Sequence, residues 1–133
     1  MIYLDATAMM KLIDHAPESS ALADYLHAHT DTRWFTCALA RADLLRATAA
    51  LPAEATEHAH HILAGLDTVA LTDRLLDAAV ALTPAPPRTT DALHIAAALS
   101  AGPRLRTLVT YDTDLARAAT DHHIHTVHPG GPP

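Results

Sequence analysis

Short apolar runs alternate along the chain with longer segments whose apolar residues recur at helical spacing. The runs that we predict to be strands are Ile2–Leu4, 33–37, 68–71, 105–110 and 124–127. The segments that we predict to be helices are 8–14, one that opens at Pro17, 40–51, 53–66, 73–82, 91–100 and 114–120. Strands that alternate with helices favour a three-layer α/β/α sandwich around a mostly parallel central sheet.

Residues that begin and end helices agree with this pattern. Thr7 and Thr72 each stand just before a predicted helix, where a hydroxyl can accept a hydrogen bond from a backbone N–H. Thr89 and Thr90 offer caps for the helix that follows them. The three prolines within 83–87 predict a loop before that helix.

The composition is typical of one globular domain. The chain has 133 residues, of which 50% are hydrophobic and 18% are charged. We expect the domain over 1–128 and a flexible tail over 129–133. No apolar run approaches the roughly 20 residues of a membrane span, the first residues lack the features of a signal peptide, and Cys37 has no second cysteine to pair with. We therefore expect a cytoplasmic protein without membrane contact.

The net charge of −6, with histidines neutral, changes which partners are expected. A nucleic-acid binder usually shows a basic stripe, whereas here Lys11 is the only lysine. The charge therefore counts against a nucleic-acid partner unless metal ions offset the acids or arginines are concentrated locally. Arg41, Arg46 and Arg88 are the candidates for contacts with phosphate.

Four aspartates are predicted near one edge of the sheet. Asp5 follows the first strand, Asp112 follows the strand 105–110, Asp43 lies early in a helix, and Asp91 lies in the first turn of another. In α/β folds ligands bind at the carboxyl ends of the strands, which is the edge these side chains should share. Carboxylates that converge repel one another, and a divalent cation relieves that repulsion. Ligands that are all oxygen favour Mg²⁺ or Mn²⁺, ions that polarise phosphates, acidify water and stabilise leaving oxygens.

Each aspartate taken alone also fits a structural role. Asp5 fits a turn at a strand end, Asp91 and Asp112 fit helix caps, and Asp43 fits a solvated residue that pairs with a nearby arginine. The metal-site interpretation depends on the combination of the four and not on any one of them.

Four segments in order along the chain resemble the motifs of PIN-domain ribonucleases, and most of all the VapC toxins of type II toxin–antitoxin systems. They are Ile2-Tyr3-Leu4-Asp5-Ala6-Thr7-Ala8, the segment 40–47 around Asp43, the segment 89–98 around Asp91, and the segment 108–116 around Asp112. The closing 127–130 also fits, so the resemblance covers nearly the whole chain. It implies a PIN fold, RNA cleavage that depends on Mg²⁺ or Mn²⁺, with tRNA or rRNA as substrate, a homodimer, and neutralisation by a VapB-type antitoxin.

The same resemblance implies which residues act. The acids to which it assigns metal binding and catalysis are Asp5, Asp43, Asp91 and Asp112. Thr7 matches a hydroxyl residue near the metal, Arg46 is an auxiliary candidate, and Asp114 competes with Asp112 for the place of the fourth acid. The family usually has glutamate where this chain has Asp43, and the shorter side chain suggests contact with the metal through water.

Other functions fit less well. A phosphatase of the haloacid-dehalogenase type needs a second aspartate two residues after the first, where this chain has Thr7. A response-regulator receiver needs a lysine after a late strand, and Lys11 is far from there. A catalytically weak or inactive PIN-like interaction module stays open, with Asp43 as its support. We further expect His94 to pack or to orient a neighbour, and Cys37 to be a small buried hydrophobe.

Overall fold

A five-stranded sheet, parallel throughout, forms the centre of the protein over the residues that the computed structural model describes, 1–131. Its strands are β1 (Ile2–Leu4), β2 (Trp34–Cys37), β3 (Asp67–Val69), β4 (Thr107–Val109) and β5 (Thr126–Val127). Their order is β3-β2-β1-β4-β5, so β1 lies in the middle between β2 and β4. All residues of β1 and β4 are buried, as expected for central parallel strands that are covered on both faces.

Helices cover the sheet and complete the expected three-layer α/β/α architecture. Within residues 1–131 the helices are α1 (Ala6–Lys11), α2 (Ser19–Ala28), α3 (Ala38–Thr48), α4 (Ala53–Ala64), α5 (Asp73–Val80), α6 (Thr89–Leu99) and α7 (Thr113–Asp121). A short 3₁₀ turn at Gly102–Arg104 leads into β4. In the same part of the chain no helix combines the length and the apolar character that crossing a membrane requires.

Helix α6 is the most deeply buried of these helices and fixes the position of one acid. Its sequence after Asp91 is almost entirely apolar, with Ile95 and the alanines that follow it buried. It packs against α3, α5 and α7. Because the helix is enclosed on several sides, the polar side chains of its first turns, Asp91 and His94, are buried with it.

The predicted elements are present, but two predictions about helix starts were wrong. Helix α1 begins at Ala6 and its cap is Asp5, whose Oδ1 accepts a hydrogen bond from the Ala8 N–H at 2.9 Å. Thr7 does not cap it, because the Thr7 hydroxyl is engaged with Asp5 and with the Tyr111 N–H. Helix α6 likewise begins at Thr89 itself, so neither Thr89 nor Thr90 is its cap.

Two further expectations concern a cap and the carboxyl end of the chain. Thr72 caps α5 as predicted and accepts a hydrogen bond from the Leu75 N–H at 3.1 Å. The flexible tail predicted for 129–133 falls partly on residues 132 and 133, which lie outside the described residues, and that boundary stays a prediction. Pro129 contacts the domain through its carbonyl, which accepts a hydrogen bond from the Tyr111 hydroxyl at 2.7 Å.

Candidate active site

The carboxyl ends of β1 and β4 bring Asp5 and Thr110 side by side. Leu4 pairs with Val109 in the parallel register, so the next residue of each strand lies at the same edge. The Asp5 carboxylate is almost fully buried and accepts hydrogen bonds from the hydroxyls of Thr110 (2.5 Å) and Thr7 (2.7 Å). Two strand ends and the start of α1 thus hold this carboxylate in one orientation.

The surroundings of Asp5 leave its charge only partly compensated. Burial raises the pKa of Asp5 above its usual value, and hydrogen bonds from Thr110, Thr7 and the Ala8 N–H oppose that rise without cancelling it. Among the described residues these hydrogen-bond donors are all neutral groups. A carboxylate held in this way is suited to a cation that is not part of the chain.

Asp91 is bound by an arginine from the loop before its own helix. Its side chain is 3% exposed. The Arg88 guanidinium donates from Nε to Asp91 Oδ2 at 2.8 Å and from Nη2 to Asp91 Oδ1 at 2.7 Å. This two-point pairing is the strongest geometry that an arginine and a carboxylate can adopt.

The same guanidinium reaches two more acids. Arg88 Nη2 also donates to Asp112 Oδ2 at 2.8 Å, and Nη1 lies 3.8 Å from Asp114 Oδ2. Asp112 caps α7, where its Oδ1 accepts hydrogen bonds from the N–H groups of Asp114 and Leu115. Partial burial acts to raise the pKa of Asp112, but the hydrogen bond from Arg88 and those from the α7 backbone lower it overall.

Thr110 joins the two halves of this arrangement. Its Oγ1 donates to Asp5 and accepts a hydrogen bond from the Asp112 N–H at 3.0 Å. A continuous set of hydrogen bonds therefore runs from Asp5 through Thr110 to Asp112, and through Arg88 to Asp91. We call these five residues the acid edge. Thr7, predicted to lie near the metal, is half-buried beside it and donates to Asp5.

Asp43 and Arg46 lie on α3, and both are exposed. The charge of Asp43 acts on His94: burial lowers the pKa of His94, but Cys37 and the carboxylates of Asp5 and Asp43 raise it overall. Asp43 therefore lies within electrostatic reach of the same helix that carries Asp91. Direct participation of Asp43 and of Arg46 in the site stays a prediction.

A buried polar cluster behind the acid edge was only partly foreseen. The Tyr3 hydroxyl donates to Cys37 Sγ at 3.0 Å and lies 2.8 Å from His94 Nδ1. His94 thus packs and orients neighbours, as predicted, and it ties α6 to β1 and to the end of β2. Cys37 is fully buried as expected, but it also takes part in this polar contact.

The chemistry of the acid edge fits a hard divalent cation. Its donors are carboxylate and hydroxyl oxygens, which suit Mg²⁺ or Mn²⁺. In residues 1–131, however, no three His, Cys, Asp or Glu side chains stand grouped so as to hold a metal ion. Asp91 and Asp112 instead direct oxygens toward the Arg88 guanidinium. A positive charge is therefore already accommodated between these two carboxylates.

Sequence reasoning missed the roles of Arg88 and Thr110. Arg88 was a candidate for contacts with phosphate, whereas it binds the acids. The spacing of Arg88 and Asp91, three residues apart across a helix start, is a signal that could have indicated their pairing. Thr110 is the last residue before Tyr111-Asp112, and only the register of β1 with β4 shows that it faces Asp5.

Comparison with known proteins identifies a family, sequence relatives and structures with the same fold. Residues 2–121 match the family described as PIN domain. Ribonuclease VapC35 of Mycobacterium tuberculosis is 41% identical over 133 residues, which covers 98% of each chain. Among solved structures, FitAB bound to a DNA fragment has a TM-score of 0.76 at 16% identity and covers 100% of this chain and 98% of its own. VapBC2 from Rickettsia felis, bound to a promoter DNA fragment, has a TM-score of 0.72 at 14% identity and covers 96% and 98%. At these identities the two structures share the fold.

Proposed function

The chain belongs to the PIN-domain family, in its VapC branch, and on that premise we propose that it is a metal-dependent endoribonuclease toxin neutralised by a VapB-type antitoxin. The observation that carries this proposal is the acid edge. Two aspartates, Asp5 and Asp91, are almost fully buried there, and the cation bound to Asp91, Arg88, is shared with Asp112. Asp112 adjoins them at the end of β4.

The proposed metal ligands are Asp5, Asp91 and Asp112, with Asp43 acting from α3. A bound Mg²⁺ or Mn²⁺ supplies positive charge that polarises the scissile phosphodiester and stabilises the leaving oxygen. Thr7 and Thr110 hold the Asp5 carboxylate in place through short hydrogen bonds. Burial of Asp5 and Asp91 limits solvent screening, so these two carboxylates attract a cation more strongly than exposed carboxylates would.

RNA is the substrate we propose, with tRNA or rRNA as the class. The net charge of −6 repels a polyanion at long range, so the cation has to carry part of the attraction. Arg41 and Arg46 are exposed on α3, the helix that also carries Asp43. They are the candidates for contacts with phosphates beside the cleavage site.

The antitoxin is proposed to reach the acid edge with a basic segment. Arginine or lysine side chains can pair with exposed carboxylate oxygens there and block the approach of phosphate. The similarity to Ribonuclease VapC35 and to the VapBC2 structure supports a partner of this kind. The acidic net charge favours a basic partner by long-range attraction.

A homodimer is proposed because apolar side chains remain exposed around α5. Val80 is 87% exposed, and Leu76, one helical turn before it, is 39% exposed. Because these two side chains lie one turn apart on the same helix, they can contribute to an apolar surface that a second copy of the chain covers. Sedimentation of the wild type should give a dimer, and Val80→Glu should shift the equilibrium toward monomer.

A second candidate is a PIN-like interaction module with weak or no catalysis. It is favoured by the exposed position of Asp43, where the family usually has glutamate, and by the engagement of Asp91 and Asp112 with Arg88. The two candidates differ in what happens when the chain is produced alone in a bacterium.

Growth on expression tests the proposal. We expect the wild type to slow growth, Asp5→Ala and Asp91→Ala to relieve the effect, and Asp67→Ala, which changes an acid at the opposite edge, to remain toxic. Co-expression of the antitoxin encoded by the adjacent gene should also restore growth, with a stable complex recovered. Equal harmlessness of the wild type and Asp91→Ala at equal protein levels would favour the interaction module.

A further inference from the structure

Within the acid edge, Arg88 donates three short hydrogen bonds to carboxylates. Two go to the two oxygens of Asp91, and the third goes from Nη2 to Asp112 at 2.8 Å. A guanidinium is protonated throughout the physiological pH range. Arg88 is therefore a permanent cation at the place where the proposed ligands converge.

The contacts of Arg88 use the oxygens that a metal ion would need. Both oxygens of Asp91 and Oδ2 of Asp112 accept from the guanidinium. The other oxygen of Asp112 accepts from the backbone at the start of α7. A divalent ion bound to Asp91 and Asp112 would lie at contact distance from the permanent positive charge of Arg88. Like charges at so short a distance repel strongly.

Arg88 can leave without unfolding the site. Its side chain is 43% exposed, whereas that of Asp91 is 3% exposed and is held by the buried helix α6. An arginine side chain with this much access to solvent can rotate outward while the carboxylates stay in place. The acids thus form the fixed part of the arrangement, and Arg88 forms the movable part.

We propose that Arg88 is an internal counter-ion that a divalent cation must displace from Asp91 and Asp112. The acid edge then alternates between a guanidinium-bound form and a metal-bound form. This inference rests on the proposed metal-dependent function. The apparent affinity for metal equals the intrinsic affinity multiplied by the fraction of molecules in which Arg88 is not bound to the carboxylates. Once displaced, Arg88 is available to a phosphate, so an RNA that binds it favours the metal-bound form.

Titration of the full chain with Mn²⁺ alone tests the competition by calorimetry. Arg88→Gln removes the competing charge and should bind Mn²⁺ about threefold to tenfold more tightly than the wild type. Arg88→Lys keeps a charge but loses the two-point geometry, so its affinity should fall between the two. Arg33→Gln is the matched control, because Arg33 forms the same two-point pair with Asp67 at the opposite edge and its loss changes the net charge equally. Its affinity should equal that of the wild type.

A second measurement separates displacement from a change in the local field alone. In the ¹⁵N NMR spectrum of the wild type, saturating Mg²⁺ should move the Arg88 Nε–H resonance toward the position of a solvent-exposed arginine and leave that of Arg33 unchanged. An Arg88 resonance that stays unchanged while Mg²⁺ binds would overturn the inference and leave the proposed function intact. Absence of Mn²⁺ binding in the wild type and in every variant would overturn both.

Discussion

The two edges of the sheet each carry an arginine that binds an aspartate at two points, and the two pairs differ in their surroundings. At the amino edge, Arg33 Nε and Nη2 donate to Asp67 at 3.0 and 2.8 Å, and both side chains are exposed. At the carboxyl edge, Arg88 forms the same pattern with Asp91 at 2.8 and 2.7 Å, but Asp91 is buried. The two pairs have the same hydrogen-bond geometry, but the number of carboxylates around each guanidinium differs.

At the amino edge one cation meets one anion, and exposed pairs of this kind contribute little to stability. At the carboxyl edge one guanidinium serves Asp91 and Asp112 and lies near Asp114, while Asp5 has only neutral donors. Two-point pairing is thus common to both edges, whereas the carboxyl edge alone of the two has more buried or partly buried carboxylates than cations. An added positive charge would stabilise such an excess.

The largest difference between the edges should appear in RNA cleavage. Asp91→Asn removes a proposed metal ligand and should lower cleavage by at least about hundredfold. Asp67→Asn removes the equivalent carboxylate of the amino edge and should leave cleavage unchanged. Initial rates on one RNA at saturating Mg²⁺ measure both. Equal losses in the two variants would mean that the edges do not differ as described.

A difference in stability should follow from the hydroxyls that hold Asp5. Thr110→Val removes a hydrogen bond to a buried carboxylate and an acceptor for the Asp112 N–H, and should lower the free energy of unfolding by about 2 kcal/mol. Thr120→Val, which removes an exposed hydroxyl bonded within α7, should change it by less than about 0.5 kcal/mol. Urea denaturation of both variants and the wild type provides the comparison.

The loss in Thr110→Val should also depend on pH. The Thr110 hydrogen bond lowers the pKa of Asp5, so it stabilises the ionised carboxylate. Its contribution is therefore present above the pKa of Asp5 and declines as the pH falls through it. A stability difference between Thr110→Val and the wild type that grows toward acid pH would contradict this role of Thr110.

The smallest expected effect concerns Asp43. If its carboxylate acts on the metal through water, Asp43→Asn should lower cleavage by about tenfold, well short of the loss in Asp91→Asn. Asp43→Glu should match or exceed the wild type, since the longer side chain can reach the metal directly. Cleavage rates that are the same in all three proteins would exclude Asp43 from the site and leave the other acids as the ligand set.

Two strand ends were predictable because β1 is a short apolar run that stops at Asp5, and the apolar residues of β4 stop at Thr110. Parallel pairing then places Asp5 and the end of β4 at one edge, as predicted. The entirely parallel sheet confirms the predicted fold class. The exact cap of α1 was not predictable from hydroxyl preference alone, because Thr7 is drawn into contacts with Asp5 and Tyr111 that lie outside the helix.

The interaction of Arg88 could be anticipated only in part. Its pairing with Asp91 depends on local spacing, but its contact with Asp112, 24 residues away, depends on how α6 packs against α7, which Asp112 caps. The Tyr3–His94 contact is of the same kind, since it joins residues 91 positions apart. Such contacts follow from packing, which residue types and spacing do not specify.

RNA cleavage by protein treated with a chelator distinguishes a metal-dependent site from one that acts without metal. The wild type should lose activity in EDTA and regain it when Mg²⁺ or Mn²⁺ is restored, while Asp91→Asn at the same concentration should stay inactive throughout. Cleavage by the wild type that persists in EDTA, or that returns equally in Asp91→Asn on addition of metal, would contradict the claim that the acid edge is a metal-dependent ribonuclease site.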